Sequence, residues 1–531
     1  MAELKTPDHY IIDKYKSLPR ATLYAFISAL VCGMAAHFYM FTNKLYNYDE
    51  LVNTPGGYGI GAELGRWFLK IMADCNSRWL GGSYSFPLWN GIVSILLLAA
   101  SAALVVRMFQ IKSPTLAALI GAFMTVFPAV VCMFYFMFTA AFYSVGIFLS
   151  VLAAYLVVRF PGKFLYHIAA VLLLACSIGT YQAYFANTAC LFLMAFILSC
   201  AFGEGNPSFR ENFFAALRYL AVLIGGLILY FLLNRMLLVC WNVTMMDYQG
   251  IASMGQLSPG KLLTSAGICY QSFWAMFSEN VKYLTPTSLL RKCLTLIWLV
   301  LASGIVIFLL RGKRSVPGKI LMVCAGVLFP AALFLIYIMA PGAAVYAIML
   351  YSVVFFFVFP LIFVDHFVIC MNGYERVKKS MQWVIFFASA AIIAIYVWYA
   401  NASYMSQEYT KYHDLAYYET IVTQIKSLDG YTDEMHVALI GNGEVEDETN
   451  YLGGLLEDIV LQDGRNASNV SAYSKAHLIT KYLGFAPEFC GYEETKALMQ
   501  KKEVKEMPCY PDDGSICMID GIVVVKMSEY E

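Results

Sequence analysis

Apolar runs of about 20 residues recur along the first four hundred residues of this chain, and no other feature limits its fold as severely. A run of that length matches the roughly 30 Å hydrocarbon core of a bilayer. The runs cover 21–41, 88–108, 116–135, 140–158, 165–180, 183–202, 215–240, 292–310, 319–340, 343–364 and 381–400, about eleven spans in all. Charged residues make up 14% of the chain, against about a quarter in soluble domains. Lipid must therefore cover much of the surface. The expected fold is an α-helical polytopic membrane protein. A formal net charge of +0 and the lack of any basic motif argue against nucleic acid as a partner.

Lysine and arginine set the expected orientation, because positive charge in short loops stays cytoplasmic. Basic loops carry Lys14, Lys16 and Arg20; Arg107 and Lys112; Arg159 and Lys163; Arg210 and Arg218; Arg311, Lys313, Arg314 and Lys319; and Arg376, Lys378 and Lys379. The intervening turns near 136–141, 179–187 and 340–343 have neither residue. Segment 1–20 reads as a cytoplasmic N-terminus, too long and too acidic for a signal peptide. Within the transmembrane domain 21–400, loops 42–87 and 241–290 become extracytoplasmic, as does everything in 401–531. The turn "SIGTYQAYFAN" reads as a tight hairpin or a bent re-entrant segment.

The last part of the chain changes period. "YYETIVTQIKSLDGY" places Tyr418, Ile421, Ile425 and Leu428 on one helical face. "MHVALIGNG" suits a buried strand, and "CMIDGIVVVKMS" a closing strand or hairpin. Together they predict a small α/β domain without a phosphate-binding glycine loop. Cys509 and Cys517 either close a short disulfide or remain free thiols. No CxxC pair or His/Cys cluster has zinc spacing, so no metal site is expected.

The first extracytoplasmic loop holds the chemistry. "NYDE" brings Asp49 and Glu50 to the end of the first span, followed by "PGGYGIG" and "AELGRWFLKIMADCNSRWL". In the latter, Ile60, Leu64, Trp67, Phe68, Ile71, Met72, Cys75 and Trp79 fall on one face, and Glu63, Arg66, Lys70, Asp74 and Ser77 on the opposite one. That pattern predicts an amphipathic helix lying at the membrane interface, with Arg66 and Lys70 at the depth of a lipid phosphate. Arg235 lies near the outer end of a span, where an ionisable residue is a functional candidate, and the guanidinium fork suits phosphate. Tyr181 and Gln182 stand at an uncharged outer turn, where ring and amide suit sugar hydroxyls. Tyr48 and Trp67, aromatic neighbours of the charged residues, complete the sugar- and acceptor-binding candidates. A loop carboxylate in reach of an acceptor hydroxyl suits a general base, and a departing lipid phosphate held by arginine needs no acid.

On "NYDE", the "GRW" of Gly65 to Trp67 and the "YQ" of Tyr181 and Gln182, the chain resembles the bacterial type II O-antigen glucosyltransferases, multi-span enzymes of the GT-C class. The resemblance implies a GT-C-like transmembrane domain in the bacterial plasma (inner) membrane. It also implies a polyprenyl-phosphate sugar donor, undecaprenyl-linked, and a cell-surface glycan as acceptor. Asp49 and Glu50 match the family's loop carboxylates, with Glu50 where an aspartate is common. Arg66 matches its GRW arginine. No cofactor is implied; two carboxylates could hold Mg²⁺, but no ligand set is complete. A transporter or flippase of lipid-linked sugars is the alternative. It fits less well, because transporters place charge at mid-span and repeat their halves. A surface-polysaccharide polymerase or ligase would share the substrate class.

Overall fold

A computed structural model of the chain describes residues 17–54, 61–82, 84–203, 208–246, 258–312, 314–442 and 469–529. Most of the N-terminal segment and the glycine turn over 55–60 therefore lie outside the described residues, as do the middle of loop 241–290 and residues 443–468 of the tail. Ten described helices are long and apolar enough to cross a membrane. An eleventh apolar helix, Phe164–Thr180, is 17 residues long. The expected spans are thus mainly helical, although 319–340 breaks at Phe334 and 343–364 becomes helical only from Ala347, and the chain is a multi-pass membrane protein.

In chain order the helices begin with α1 (Arg20–Thr42), the short α2 (Tyr48–Asn53), α3 (Trp67–Leu80) and α4 (Pro87–Met108). There follow α5 (Pro114–Val126), α6 (Pro128–Tyr135), α7 (Met137–Arg159), α8 (Phe164–Thr180) and α9 (Phe185–Phe202). The second half has α10 (Phe209–Trp241), α11 (Pro259–Ala275), α12 (Ser288–Arg311), α13 (Val316–Leu333), α14 (Ile336–Met339), α15 (Val354–Cys370) and α16 (Glu375–Lys426). A single span was expected over 116–135. Phe127, with ψ of 138°, ends α5 there, because the residue before a proline avoids the helical region, and Pro128 opens α6.

Lipid offers no hydrophobic drive between helices, so close backbone approach must hold the bundle. Along α1, Ala21, Ala25, Ala29 and Gly33 recur every fourth position and are buried. They let α1 lie against α5 so closely that a Cβ on Gly121 would sit 2.1 Å from the Ala25 carbonyl oxygen. Outward positions stay apolar, with Val31, Phe38, Leu172, Leu232 and Leu310 all exposed. At the basic end of the bundle, Asp365 accepts from the Lys112 and Ser113 backbone N–H groups at 2.9 Å. There Arg314 Nε donates to the Ala201 carbonyl at 2.8 Å. Neither contact involves the opposite end, where the loop after α1, the α8–α9 turn and the tail meet.

Helix α16 runs 52 residues without a break, about 78 Å at 1.5 Å per residue. Its last turns enter the C-terminal domain, whose helices are α17 (Lys475–Leu483), α18 (Tyr492–Met499) and α19 (Lys502–Glu506). The strands are β1 (Val437–Ile440), β2 (Ile516–Ile519) and β3 (Ile522–Lys526), in the order β1-β3-β2. β1 pairs parallel with β3, and β2 antiparallel with β3. Asp520 and Gly521 both have positive φ, the two-residue hairpin turn that a DG pair favours. The expected helical face is buried: Tyr418, Ile421 and Ile425 pack on Val437, Val523 and Leu478. Cys509 and Cys517 are free thiols.

Candidate active site

Asn47 explains why "NYDE" folds as it does. Its side-chain oxygen accepts from the Glu50 backbone N–H at 2.8 Å, capping the six-residue α2. Its amide nitrogen donates to the Tyr135 carbonyl at 2.7 Å, pinning α2 to the end of α6. Carboxylates in a first helical turn meet the favourable end of the peptide dipoles. Successive helical residues point about 100° apart, so the two acids address different surroundings.

Glu50 is 1% exposed. Its Oε1 lies 3.4 Å from Lys44 Nζ, and its Oε2 has no hydrogen-bond partner among the described residues. Burial raises its pKa, opposed by Lys44, the nearby Ser85 hydroxyl and the Asn47 backbone. Asp49 is half-buried. Its Oδ1 accepts from the Tyr473 hydroxyl at 2.8 Å, across 424 positions of sequence. Tyr48 beside it packs edge-on to Tyr473, Tyr135 and Phe136.

The acidic loop is therefore not open to water on all sides. Tyr46 and Leu51 belong to the hydrophobic core of the C-terminal domain, and the Tyr46 and Tyr482 rings lie 4.8 Å apart. Lys481 Nζ donates to the Leu51 carbonyl and, at 2.7 Å, to that of Thr54. Gln407 of α16 donates to the Tyr46 carbonyl at 3.1 Å. Residues 43–54 are wedged between bundle and domain.

The helix expected from residue 60 starts only at Trp67. Gly65 has φ of +73° and breaks it. A side chain at Gly65 would strike the Tyr230 hydroxyl at 2.6 Å, so glycine is needed both for the turn and for the contact. Gln182 Nε2 donates to the Leu64 carbonyl at 2.5 Å, and the Tyr230 hydroxyl donates to the Gly65 carbonyl at 3.2 Å. The buried "YQ" amide thus grips the backbone of the "GRW" turn. Arg66 immediately precedes α3, with its guanidinium carbon 4.7 Å from the centre of the Tyr181 ring. Tyr181 packs on Tyr143 at 5.3 Å, and Tyr143 lies on the same helix, α7, that begins beside Tyr48. One aromatic group therefore surrounds the acidic loop and a second surrounds Arg66.

The other candidates take different places. Trp67 is 4% exposed and fills the space that Gly179 leaves, with its ring 2.5 Å from where a Cβ would stand. It anchors α3 to α8 rather than facing an opening. Lys70 pairs with Asp74 at 2.8 Å and lies over the Trp241 ring. Arg235 is exposed on α10, one position after Asn234, whose side-chain oxygen faces Gly65. Asn47, Tyr230, Tyr473 and Lys481 went unnoticed in the sequence. Only Asn47 carries a local signal, a capping residue three positions before a glutamate.

Next to this region the C-terminal domain has a cleft of 1080 Å³ at the carboxyl end of β1, lined by Asn442, Tyr473, Lys475, Tyr492, Thr495 and Ser528 among others. Ligands in α/β sheets favour the carboxyl ends of strands. Tyr473 is a wall of this cleft and the partner of Asp49. Lys475, 8% exposed, donates to the Gly441 carbonyl, and burial lowers its pKa to about 8. Among the described residues, the grouping of imidazole, thiol and carboxylate that could hold a metal lies at His436, Cys490 and Glu494.

No curated protein and no solved structure matches the chain. A family model described as Glucosyl transferase GtrII matches residues 38–359. The match takes in α2, the Gly65 turn, Tyr181, Gln182 and Arg235, and stops before the C-terminal domain. It covers more than half of the 531 residues, and on that ground the chain belongs to the GtrII glucosyl transferase family.

Proposed function

We propose that the protein transfers a glucosyl group from a polyprenyl-phosphate donor to a cell-surface glycan, at the extracytoplasmic end of the bundle. The carrying observation is the contrast between the two acids: Asp49 is half-buried and bound by the Tyr473 hydroxyl at 2.8 Å, whereas Glu50 is sealed against Lys44. A hydrogen bond from a phenol favours the ionised carboxylate, and burial favours the neutral one. Asp49 is then the base and Glu50 its support.

In the proposed step, the acceptor hydroxyl oxygen attacks the anomeric carbon of the donor sugar and the bond from that carbon to the phosphate oxygen breaks. Asp49 takes the hydroxyl proton. The electron pair leaves with the polyprenyl phosphate, whose charge is stabilised by Arg66. Arg235, exposed on α10, meets the lipid-borne phosphate as it arrives from the bilayer, and Lys70 adds a second cation held by Asp74. The acceptor glycan approaches across the C-terminal cleft, whose Tyr473 wall it shares with Asp49.

The test is transfer by full-length protein from a polyprenyl-phosphate glucose to polysaccharide released from cells that express it. Asp49→Asn is expected to lower kcat by about 10²–10⁴-fold, the usual contribution of a general base. Glu50→Gln, which preserves the shape of a side chain sealed away from the acceptor, is expected to retain most of the rate. Native rates in both variants would remove the base assignment. Donor that crosses sealed vesicles without forming new glycosidic bonds would favour a flippase instead.

A further inference from the structure

We propose that His436, Cys490 and Glu494 form a zinc site on the C-terminal domain. The donor atoms of these three residues all lie within 4.8 Å of one another. His436 Nδ1 stands 3.7 Å from Glu494 Oε1. Tetrahedral zinc with ordinary bond lengths separates its donors by about 3.4–3.6 Å, so the imidazole–carboxylate edge is already close to that spacing. The thiol closes the remainder by a side-chain rotation. Thiolate, imidazole and carboxylate together suit zinc over magnesium or calcium, which prefer oxygen alone.

The backbone holds two of the three donors in place before any metal arrives. The Val437 N–H donates to the Glu488 carbonyl at 3.0 Å, and the Cys490 N–H to the Val437 carbonyl at 3.0 Å. The Val523 N–H donates to the His436 carbonyl at 2.9 Å. His436 and Cys490 thus flank one short parallel bridge between Val437 and Phe489, and Glu494 projects from the first turn of α18. The other imidazole nitrogen is also provided for: His436 Nε2 lies 3.3 Å from Glu488 Oε2. A carboxylate on the far nitrogen is the arrangement that orients a metal-bound histidine and strengthens its donation. Glu488 is therefore a positioning residue, Nδ1 faces the metal, and a water completes the fourth position. Binding forms a zinc–sulfur bond and releases the Cys490 thiol proton to solvent. His436 stands 54 positions before Cys490, a separation that hides the site from any search for a short motif.

The site is independent of the transferase reading, and its test needs no activity. Full-length protein in detergent is stripped with a chelator, reloaded with zinc chloride and gel-filtered before metal analysis. One zinc per chain is expected, lost in Cys490→Ser and His436→Gln and retained in Cys517→Ser. Cobalt(II) is expected to give a thiolate-to-cobalt absorption band that Cys490→Ser abolishes. Glu488→Gln is expected to keep the stoichiometry and weaken affinity by about 10–100-fold. Circular dichroism of the stripped variants checks folding, and the surface substitution Glu494→Gln gives a second reading if Cys490→Ser misfolds. Zinc retained by both Cys490→Ser and Glu494→Gln, or a cobalt complex without the thiolate band, would overturn the proposal.

Discussion

In the membrane bundle, cohesion comes from backbones brought together: the small residues of α1 lie on α5, and Gly121 leaves no space for a Cβ. In the C-terminal domain, large side chains such as Tyr418, Ile421, Ile425, Val523 and Val525 fill one core, and water supplies the drive to bury them. One sequence thus uses shape where the solvent is lipid and apolar area where it is water. The candidate site lies at the seam. Its acid, Asp49, comes from the region that the family match covers, and the tyrosine that touches Asp49 comes from the region it does not.

The sharpest way to break this comparison is to place equal insults in the two regions. Gly121→Leu is expected to remove most of the folded protein, because the side chain must displace the Ala25 backbone; size-exclusion profiles in detergent read this directly. In the domain, Ile421→Ala is expected to cost about 2–5 kcal/mol. It should raise amide hydrogen exchange in β1 and β3 while leaving that of α1 and α5 unchanged. Equal sensitivity of both regions to Ile421→Ala would mean that they fold as one unit.

Two smaller effects test the seam. Tyr473→Phe removes a hydrogen bond to a carboxylate, an interaction of about 1.5–3 kcal/mol, so kcat is expected to fall about 10–100-fold with the KM for donor unchanged. In the double variant with Asp49→Asn the further loss should vanish, because the hydrogen bond then has no carboxylate to serve. A mere packing role for Tyr473 would make the two losses add. The smallest effect is that of Lys475, whose folded pKa of about 8 lies below the ordinary lysine value of 10.5. Between those values the unfolded chain binds more protons than the folded one, so domain stability rises with pH. From pH 8 to 9 the gain is about 1 kcal/mol, seen by melting at each pH and absent in Lys475→Met.

Much of this was legible in the sequence because the signals were local. Span length in a bilayer fixes an apolar run, and the DG turn between β2 and β3 declares itself in two residues. The acidic pair was legible as an outlier at a span end, and Tyr181 and Gln182 as polar groups in an uncharged turn. The break at Gly65 was not, since the residues from 60 to 79 satisfy a helical pattern straight through it. Nor was the burial of Glu50 or the docking of Lys481 on Leu51. Those depend on chain segments more than four hundred positions apart, for which no periodicity speaks. The contacts of Tyr181 and Gln182 were equally hidden: the amide holds the Leu64 carbonyl and the ring lies beneath Arg66.

The unbroken course of α16 has a consequence for how such a chain can change length. Because the helix leaves the bundle beside Gln407 and enters the domain core at Tyr418, the residue count between them sets the facing of the domain. One residue inserted between those points rotates the whole domain by about 100° and lifts it about 1.5 Å, carrying Tyr473 away from Asp49. Seven residues return it to within about 20° of its original facing, though about 10 Å farther out. In this segment phase and height cannot both be preserved, so its length is effectively locked.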